Sequence, residues 1–437
     1  MNNTVKVIGA GLAGCSAAWQ LAEHGINVEL FEMKPEKQSP AHLSPYYAEL
    51  VCSNSFRSND LSNAAGLLKE EMRRLGCVII STADETQVPA GGALAVDREL
   101  FAKTLTEKIK AHPLIKIISE EVTQIPDGRV IIATGPLTSD ALFEKIAELM
   151  PEKNMLSFFD SAAPIVTFES INMESAYFAS RYDKGQADYI NCPLDKELYK
   201  SFHTELISAE CADVHGFEEK LIFEGCIPIE VMAKRGEDTM RFGPLKPVGL
   251  KDPKTGKEPY AVIQLRKDNK EGTLYNLVGF QTHLKFSEQK RILSMIPALN
   301  DAEIVRYGVM HRNTYLNSPG LLDEFYRFKN DTRISFAGQI TGVEGYIESA
   351  ASGLLAGLSA AYEILGKKPI TFPQETAIGA LSLYVSQNAV SKFQPMNINF
   401  GIIKPLDYKI KGKKEKNLKI SQRSLEIIDN QARRVMK

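Results

Sequence analysis

A glycine-rich turn near the start of the chain is the feature that most constrains its fold. Residues 5–8 (VKVI) form a short, mainly apolar stretch, which is typical of a buried strand, and Gly9, Gly11 and Gly14 follow with the spacing G-x-G-x-x-G. A helical pattern then extends over residues 13–24. A strand that enters a helix through these glycines predicts a dinucleotide-binding unit.

Each glycine has a separate predicted task. Gly9 permits the tight turn, Gly11 lets the backbone approach a pyrophosphate, and Gly14 lets the helix lie close to the sheet. A second strand is predicted at residues 27–32, and Glu32 at its end is placed to bind an adenosine ribose. With phosphates at the helix N-terminus, the turn residues predicted to contact the dinucleotide are Gly9, Ala10, Gly11, Leu12, Ala13 and Gly14.

Two later segments favour FAD over NAD as this dinucleotide. Residues 128–134 (GRVIIAT) predict a strand that ends at Gly135, and residues 333–337 predict another that reaches Gly338. A long helix rich in Ala, Gly and Leu is predicted to open at Gly345, with its positive end towards the flavin. This arrangement resembles the α/β, glutathione-reductase-type FAD-binding Rossmann domain, although Gln339 stands where that domain usually has an acid.

If the two ends of the chain form one flavin domain, the middle is an α/β insertion domain. We expect residues 1–159 and 307–437 to form the FAD-binding domain and residues 160–306 to form the insertion on the substrate and RNA side. No second G-x-G-x-x-G is present, so NAD(P)H would bind only transiently. Further strands are predicted at 122–125, 163–169, 260–266 and 275–282, and a turn-rich loop at 246–259.

Charge and composition exclude several classes of protein. The 437 residues include 52 Lys plus Arg and 54 Asp plus Glu, so any RNA contact must come from a local basic patch. No apolar stretch is long enough for a membrane span, and the start of the chain does not resemble a signal peptide. The six cysteines form no C-x-x-C pair, which favours a reduced, cytoplasmic protein with no metal site.

Two cysteines have surroundings that suit a reactive thiol. Cys52 lies in a polar, arginine-bearing stretch (AELVCSNSFRS), and Cys226 lies between a glycine and the residue before a proline, with basic residues close behind. Free cysteines are more often small buried hydrophobes, and either thiol could be one. The others are predicted to be core residues: Cys15, Cys77, Cys192 and Cys211.

Six segments spread over most of the chain resemble the bacterial folate- and FAD-dependent tRNA (uracil-5-)-methyltransferases, the TrmFO family. The segments are VIGAGLAG, AELVCSNSFRS, GGALAVDRE, FEGCIPIEVMAKRGEDTMRFGPLKPVGL, LVGFQTHLKFSEQKR and FAGQITGVEGYIESAASG. A sister family that modifies the wobble uridine shares the glycine fingerprint but has a long C-terminal helical domain. Only about 90 residues follow Tyr346 here, too few for that domain.

The resemblance implies a reductive methylation. Methylenetetrahydrofolate supplies the one-carbon unit, FAD reduced by NAD(P)H supplies electrons, and the T-loop uridine of tRNA becomes ribothymidine. By similarity Cys226 is the nucleophile that adds to carbon 6 of uracil, and Cys52 is the base or second thiol. His283 matches a position that stacks on the pterin ring, and Tyr346 matches an aromatic residue beside the flavin.

The RNA surface and the target remain open. Two basic patches could bind RNA: the lysine-rich run 404–423, which could equally be a solvated tail, and residues 234–246, which lie near Cys226 and are favoured. The same chemistry could act on a uridine of large-subunit ribosomal RNA. The chain could also be a small-molecule NAD(P)H-flavin oxidoreductase or a non-catalytic, flavin-containing RNA-binding protein. No protein partner is evident.

Overall fold

The computed structural model describes residues 4–39, 41–150, 155–183, 186–212, 227–387 and 393–435. Up to residue 149 the elements are β1 (Thr4–Ile8), α1 (Leu12–Glu23), β2 (Asn27–Glu32), β3 (Ser55–Ser58), α2 (Ala64–Arg74), α3 (Val78–Glu85), β4 (Gln87–Val88), β5 (Ala93–Val96), α4 (Arg98–Ala111), β6 (Ile115–Ser119), β7 (Arg129–Ile132) and α5 (Asp140–Leu149).

The middle of the chain contains β8 (Met155–Ser161), β9 (Ile165–Thr167), β10 (Tyr177–Ala179), β11 (Tyr189–Leu194), α6 (Lys196–Ser208), α7 (Ile229–Lys234), α8 (Thr239–Phe242), β12 (Ala261–Lys267), β13 (Leu274–Leu277), α9 (Phe286–Ser294) and β14 (Ile304–Arg306). The last part contains β15 (Met310–Leu316), β16 (Ile334–Phe336), α10 (Tyr346–Ile364), α11 (Ala377–Ser386) and α12 (Lys413–Val435). Among the described residues, none of these helices is both long and apolar enough to cross a membrane.

A five-stranded parallel sheet combines strands from the first and last parts of the chain. Its strand order is β16-β7-β1-β2-β6, so β16 from the C-terminal part lies in the same sheet as β1 and β2. Apolar residues of β1 such as Val5 and Val7 are fully buried, because helices cover the sheet. The expected return of the C-terminal part of the chain to the glycine fingerprint is therefore confirmed.

The prediction of a strand at residues 122–125 is wrong. The chain is irregular there, and the edge position beside β2 is filled by β6, whose five residues pair with Val28–Glu32. Val122 and Ile125 are half-buried against the core without joining a sheet. The apolar pattern of this segment reflects packing and not strand pairing.

A second, antiparallel sheet is built entirely from the middle of the chain. Its order is β10-β11-β12-β13-β9-β14, and it packs around a separate hydrophobic cluster formed by residues between 166 and 304. β8 and β15 pair with each other where the chain enters and leaves this part. The domain boundaries at 159/160 and 306/307 stay a prediction, and the strands of this sheet lie between them.

Two strands of the second sheet are shorter than predicted. β9 covers three residues because the chain turns into a 3-10 helix at Phe168–Ser170. β13 ends at Leu277, because Gly279 has a φ of +69° and turns the chain away from the sheet. The strand predicted at 260–266 is confirmed within one residue at each end, and residues 246–259 form a loop as expected.

Candidate functional site

A cavity of about 360 Å³ lies beside the carboxyl ends of the parallel strands. Its lining includes the ends of β1 and β2 and the residues that directly follow β7 and β16. This is the edge at which open α/β sheets bind ligands. Of the residues predicted to be functional, those that line the cavity are Gly9, Ala10, Gly11, Leu12, Ala13, Glu32, Cys52, Gly135, Gly338, Gly345 and Tyr346.

The three fingerprint glycines meet different surroundings. Gly9 has a φ of +94°, which only glycine adopts without strain. A Cβ on Gly14 would lie 1.8 Å from the carbonyl oxygen of Gly9, so Gly14 packs α1 against the turn and does not face the cavity. A Cβ on Gly11 would meet nothing within 4 Å, so this backbone faces open space wide enough for a ligand.

Glu32 lies at the fingerprint turn, as the sequence predicts. Its buried carboxylate accepts hydrogen bonds from the backbone N–H of Ala10 at 2.8 Å and of Lys34 at 3.0 Å. A carboxylate held in this way can accept further hydrogen bonds from ribose hydroxyls. Cys15 lies below the turn with its thiol 3.3 Å from the Ala10 carbonyl, and burial raises its pKa, which keeps it protonated.

The N-terminus of α10 closes one side of the cavity. Gly345 has a φ of +106° and is the N-cap, so this 19-residue helix points its positive end at the cavity. Beside it, the Gln339 amide donates to both carboxylate oxygens of Glu344, at 2.9 and 3.0 Å. Glu344 thus places a carboxylate beside the position where the sequence has Gln339 instead of the usual acid.

The backbone of Cys52 is held by the hydroxyl of Tyr346. This oxygen accepts hydrogen bonds from the N–H of Cys52 at 2.9 Å and of Ser53 at 3.1 Å. Burial raises the pKa of Tyr346, so the phenol remains protonated. The two residues predicted at the flavin and at the thiol therefore contact each other across 294 positions of sequence.

Arg98, which sequence reasoning missed, holds the residues just before Cys52. Its guanidinium donates to the carbonyl oxygens of Leu50 and Val51 and forms two hydrogen bonds with Asp268, at 2.8 and 3.1 Å. Asp268 follows β12 in the second sheet, 170 positions away. No local pattern in the sequence could have marked this pair.

Arg266 holds the two residues just after Cys52 through their side chains. It donates to the Asn54 side-chain oxygen at 3.0 Å and to the Ser53 hydroxyl at 2.8 Å. The Asn54 amide in turn donates to the carbonyl of Lys267 at 2.8 Å. Cys52 thus lies on a segment that is fixed between the two sheets.

Cys211 is not a core residue, contrary to prediction. It is half-buried and lies with His283 and Glu230, whereas Cys77 and Cys192 are buried as expected and burial raises their pKa values. Cys211 is only half-buried because it follows α6 at the edge of the second hydrophobic cluster, where it pairs with Leu284 through an isolated bridge.

His283 is 5% exposed and does not line the cavity, although Gln281, two residues earlier, does. Its Nδ1 lies 2.5 Å from a carboxylate oxygen of Glu230. Burial by itself lowers the pKa of His283, but hydrogen bonding to Cys211 and Glu230 outweighs it and raises the pKa to about 9. The role of His283 as a pterin contact stays a prediction, and Cys226 lies outside the described residues.

The fold and the cavity define a class: an FAD-type dinucleotide-binding α/β protein with a second, inserted sheet. A family model described as glucose inhibited division protein A matches residues 4–368. The chain belongs to this family and, within it, to the TrmFO group of methylenetetrahydrofolate–tRNA-(uracil-5-)-methyltransferases.

Curated relatives carry this assignment, and a solved structure supports the fold. The chain is 60% identical over 430 residues to "Methylenetetrahydrofolate--tRNA-(uracil-5-)-methyltransferase TrmFO" of Bacillus licheniformis, covering 98% of this chain and 99% of the relative. The protein of that name from Bacillus subtilis is 59% identical, covering 97% and 98%. The form II crystal structure of Aquifex aeolicus GidA, 16% identical, matches with a TM-score of 0.73 over 99% of this chain and 73% of that one, which confirms the fold.

Proposed function

We propose that this chain methylates carbon 5 of the T-loop uridine of tRNA to form ribothymidine. Methylenetetrahydrofolate is the one-carbon donor, NAD(P)H is the reductant and FAD is the bound cofactor. The observation that carries the proposal is the 60% identity, over nearly the whole chain, to a relative named for this activity. That name specifies tRNA, which favours tRNA over ribosomal RNA.

The residues around the cavity fit FAD. The backbone at Gly11 is open to a pyrophosphate, Glu32 supplies an acceptor for ribose hydroxyls, and the N-terminus of α10 favours negative charge on the flavin. When bound, FAD supplies the reducing equivalents that turn a methylene unit into a methyl group. The chain contributes the residues that orient the cofactor at the fingerprint turn.

The thiols supply the covalent chemistry of the proposal. Carbon 5 of uracil is a poor nucleophile, so a thiolate first adds to carbon 6, and carbon 5 of the resulting enolate then attacks the methylene unit derived from methylenetetrahydrofolate. A base next removes the proton from carbon 5, hydride reduces the exocyclic methylene to a methyl group, and the thiolate leaves carbon 6. We assign the addition to Cys226 and the proton transfer to Cys52. The fixed backbone around Cys52 supports a role that depends on position, since proton transfer needs a donor and acceptor within hydrogen-bond reach.

RNA contact is proposed for residues 234–246, with residues 404–423 as the second surface. In the first, Lys234 and Arg235 are exposed. The guanidinium of Arg241 instead lies 3.6 Å above the ring of Tyr260 and makes an intramolecular contact. In the second, α12 begins with exposed lysines and Tyr408 is 61% exposed. We place the reaction in the cytoplasm, since tRNA is the proposed substrate.

The test is a methyl-transfer assay with purified protein, NADPH and labelled methylenetetrahydrofolate, with tRNA transcript and ribosomal RNA fragments in parallel. Label at the T-loop uridine that is lost in Cys226→Ala and Cys52→Ala, but kept in the core control Cys192→Ala, supports the proposal. Label only in ribosomal RNA moves the target. Oxidation of NADPH without label in either RNA would instead indicate a small-molecule oxidoreductase.

A further inference from the structure

Three side chains of the kinds that bind transition metals meet beside the second sheet. The ligand atoms of Cys211, Glu230 and His283 all lie within 4.8 Å of one another. Glu230 and His283 are buried, and Cys211 is half-buried. We call this group the Cys211 cluster. None of its members lines the cavity of the flavin site.

The backbone brings Cys211 to His283. The N–H of Ala212 donates to the carbonyl oxygen of His283 at 2.7 Å, and Cys211 forms an antiparallel bridge with Leu284. The segment that follows α6 is therefore paired with the segment that precedes α9. This backbone pairing brings the thiol next to the imidazole, to which it is hydrogen-bonded.

Hydrogen bonds from the protein also hold Glu230 in place. Its two carboxylate oxygens accept from the Thr282 hydroxyl at 2.8 Å and from the backbone N–H of His283 at 2.9 Å. Groups that bind the ligand residues in this way fix ligand orientation in metal sites. The carboxylate and the imidazole are thus ordered before any ion arrives.

We propose that Cys211, Glu230 and His283 bind a divalent cation of the zinc class. Zinc takes sulfur, nitrogen and carboxylate oxygen ligands together in tetrahedral geometry, with bonds of about 2.0–2.3 Å. A thiolate and a carboxylate offset the two positive charges of the ion. The close contact between His283 and Glu230 is then replaced by bonds from both groups to the ion, and the exposed side of Cys211 leaves a fourth position for water.

The site has a structural consequence. Cys211 precedes residues 213–226 in the chain and Glu230 follows them, so one ion would tie both flanks of the segment that contains Cys226 to the loop at His283. An ion bound to His283 would also compete with the predicted contact between this residue and the pterin ring.

The test measures metal binding by the FAD-loaded protein. After treatment with a chelator, the protein is titrated with Zn²⁺ against a competing chromophoric chelator, and bound zinc is counted by elemental analysis. We expect one equivalent, with affinity reduced at least about tenfold in Cys211→Ser and in Glu230→Gln. Glu210→Gln is the matched control, because Glu210 is the exposed neighbour of Cys211 and pairs with Lys285.

X-ray absorption at the zinc edge gives a second readout, and we expect one sulfur ligand. The proposal is overturned if no equivalent is bound, if Cys211→Ser binds as tightly as the parent, or if binding is lost in Cys52→Ala or Cys226→Ala while Cys211→Ser retains it. Circular dichroism and retained flavin absorbance show that each variant is folded, so a loss of zinc reports on the site.

Discussion

Among single residues, Cys52 illustrates how a reactive group is held by distant parts of the chain. Its own segment lacks regular structure, yet Tyr346 holds its backbone N–H, Arg98 holds the carbonyls before it, and Arg266 holds the side chains of the two residues after it. The fingerprint glycines and Glu32 could be predicted from sequence, because their task is local. Arg98 and Arg266 could not, because their partners lie 170 and 212 positions away.

Removing the hydroxyl of Tyr346 tests this arrangement. Tyr346→Phe leaves two N–H groups without their acceptor, which costs about 1–3 kcal/mol in the free energy of unfolding. We also expect slower methyl transfer and an altered rate of Cys52 alkylation. The matched control is Tyr384→Phe, which removes a single hydrogen bond to Gln394 in a more exposed place. Equal effects of the two variants on Cys52 alkylation would contradict the assigned role.

At the scale of elements, the contact between α1 and α10 joins the two ends of the chain. A Cβ on Gly353 would lie 2.1 Å from the carbonyl oxygen of Ala13, and one on Gly357 would lie 2.5 Å from that of Ala17. The helices approach so closely only because both positions are glycine. The sequence predicted α10 from its composition, but not which face of it meets α1.

Gly353→Ala is therefore expected to separate the two helices. Both the fingerprint turn and the N-terminus of α10 would move, so we expect FAD to be retained less well and the free energy of unfolding to fall by about 1–3 kcal/mol. Flavin absorbance after gel filtration and denaturant unfolding measure the two effects. Gly92→Ala has open space around its Cβ, so it should leave both unchanged.

Glu71 joins three helices and makes their packing sensitive to pH. Its buried carboxylate on α2 accepts hydrogen bonds from the N–H groups of Ala377 and Ile378 at the start of α11 and from the Ser424 hydroxyl on α12. Burial, only partly opposed by these hydrogen bonds, raises the pKa of Glu71 to about 7. The folded state thus holds this proton more tightly than the unfolded state does.

The direction of the pH dependence follows from the difference in the pKa of Glu71 between the folded and unfolded states. A raised pKa contributes stability that is full below pH 4.5 and is lost as the pH rises through 7. Relative to Glu71→Gln, the parent should lose on the order of 3 kcal/mol of unfolding free energy over this range. Urea unfolding of both proteins between pH 5 and 8 measures the trend, and parallel curves would contradict it. Glu70→Gln controls for loss of charge from the same helix.

For the whole molecule, the two sheets must keep their relative position if Cys52 is to face the flavin cavity. The β8–β15 pair links the two parts through the backbone, and the buried pair of Arg98 and Asp268 links them through side chains. Arg98 begins α4 beside the parallel sheet, whereas Asp268 follows β12 in the inserted part. This pair therefore sets the position of one sheet relative to the other.

Removing only Arg98 from the pair with Asp268 should destabilise the protein more than replacing both residues by uncharged ones. Arg98→Met leaves the Asp268 carboxylate buried and unpaired, which we expect to lower the free energy of unfolding by about 3–5 kcal/mol. Adding Asp268→Asn should recover part of this loss, since the buried charge is gone. Methyl transfer should remain low in the double variant, because Leu50 and Val51 have lost their donor. Additive losses in a double-mutant cycle would refute the coupling.

The sequence by itself determined the nucleotide-binding fold, the return of the C-terminal strand and helix to it, and the family. These depend on short-range patterns, since strand length, helical spacing and positive-φ glycines are encoded over a few neighbouring residues. Only the tertiary structure decided that residues 122–125 lie outside the sheet, that Arg98 and Arg266 hold Cys52, and that Cys211 meets His283 and Glu230. These outcomes depend on which distant segments of the chain pack against each other. Local sequence patterns contain no information about such contacts.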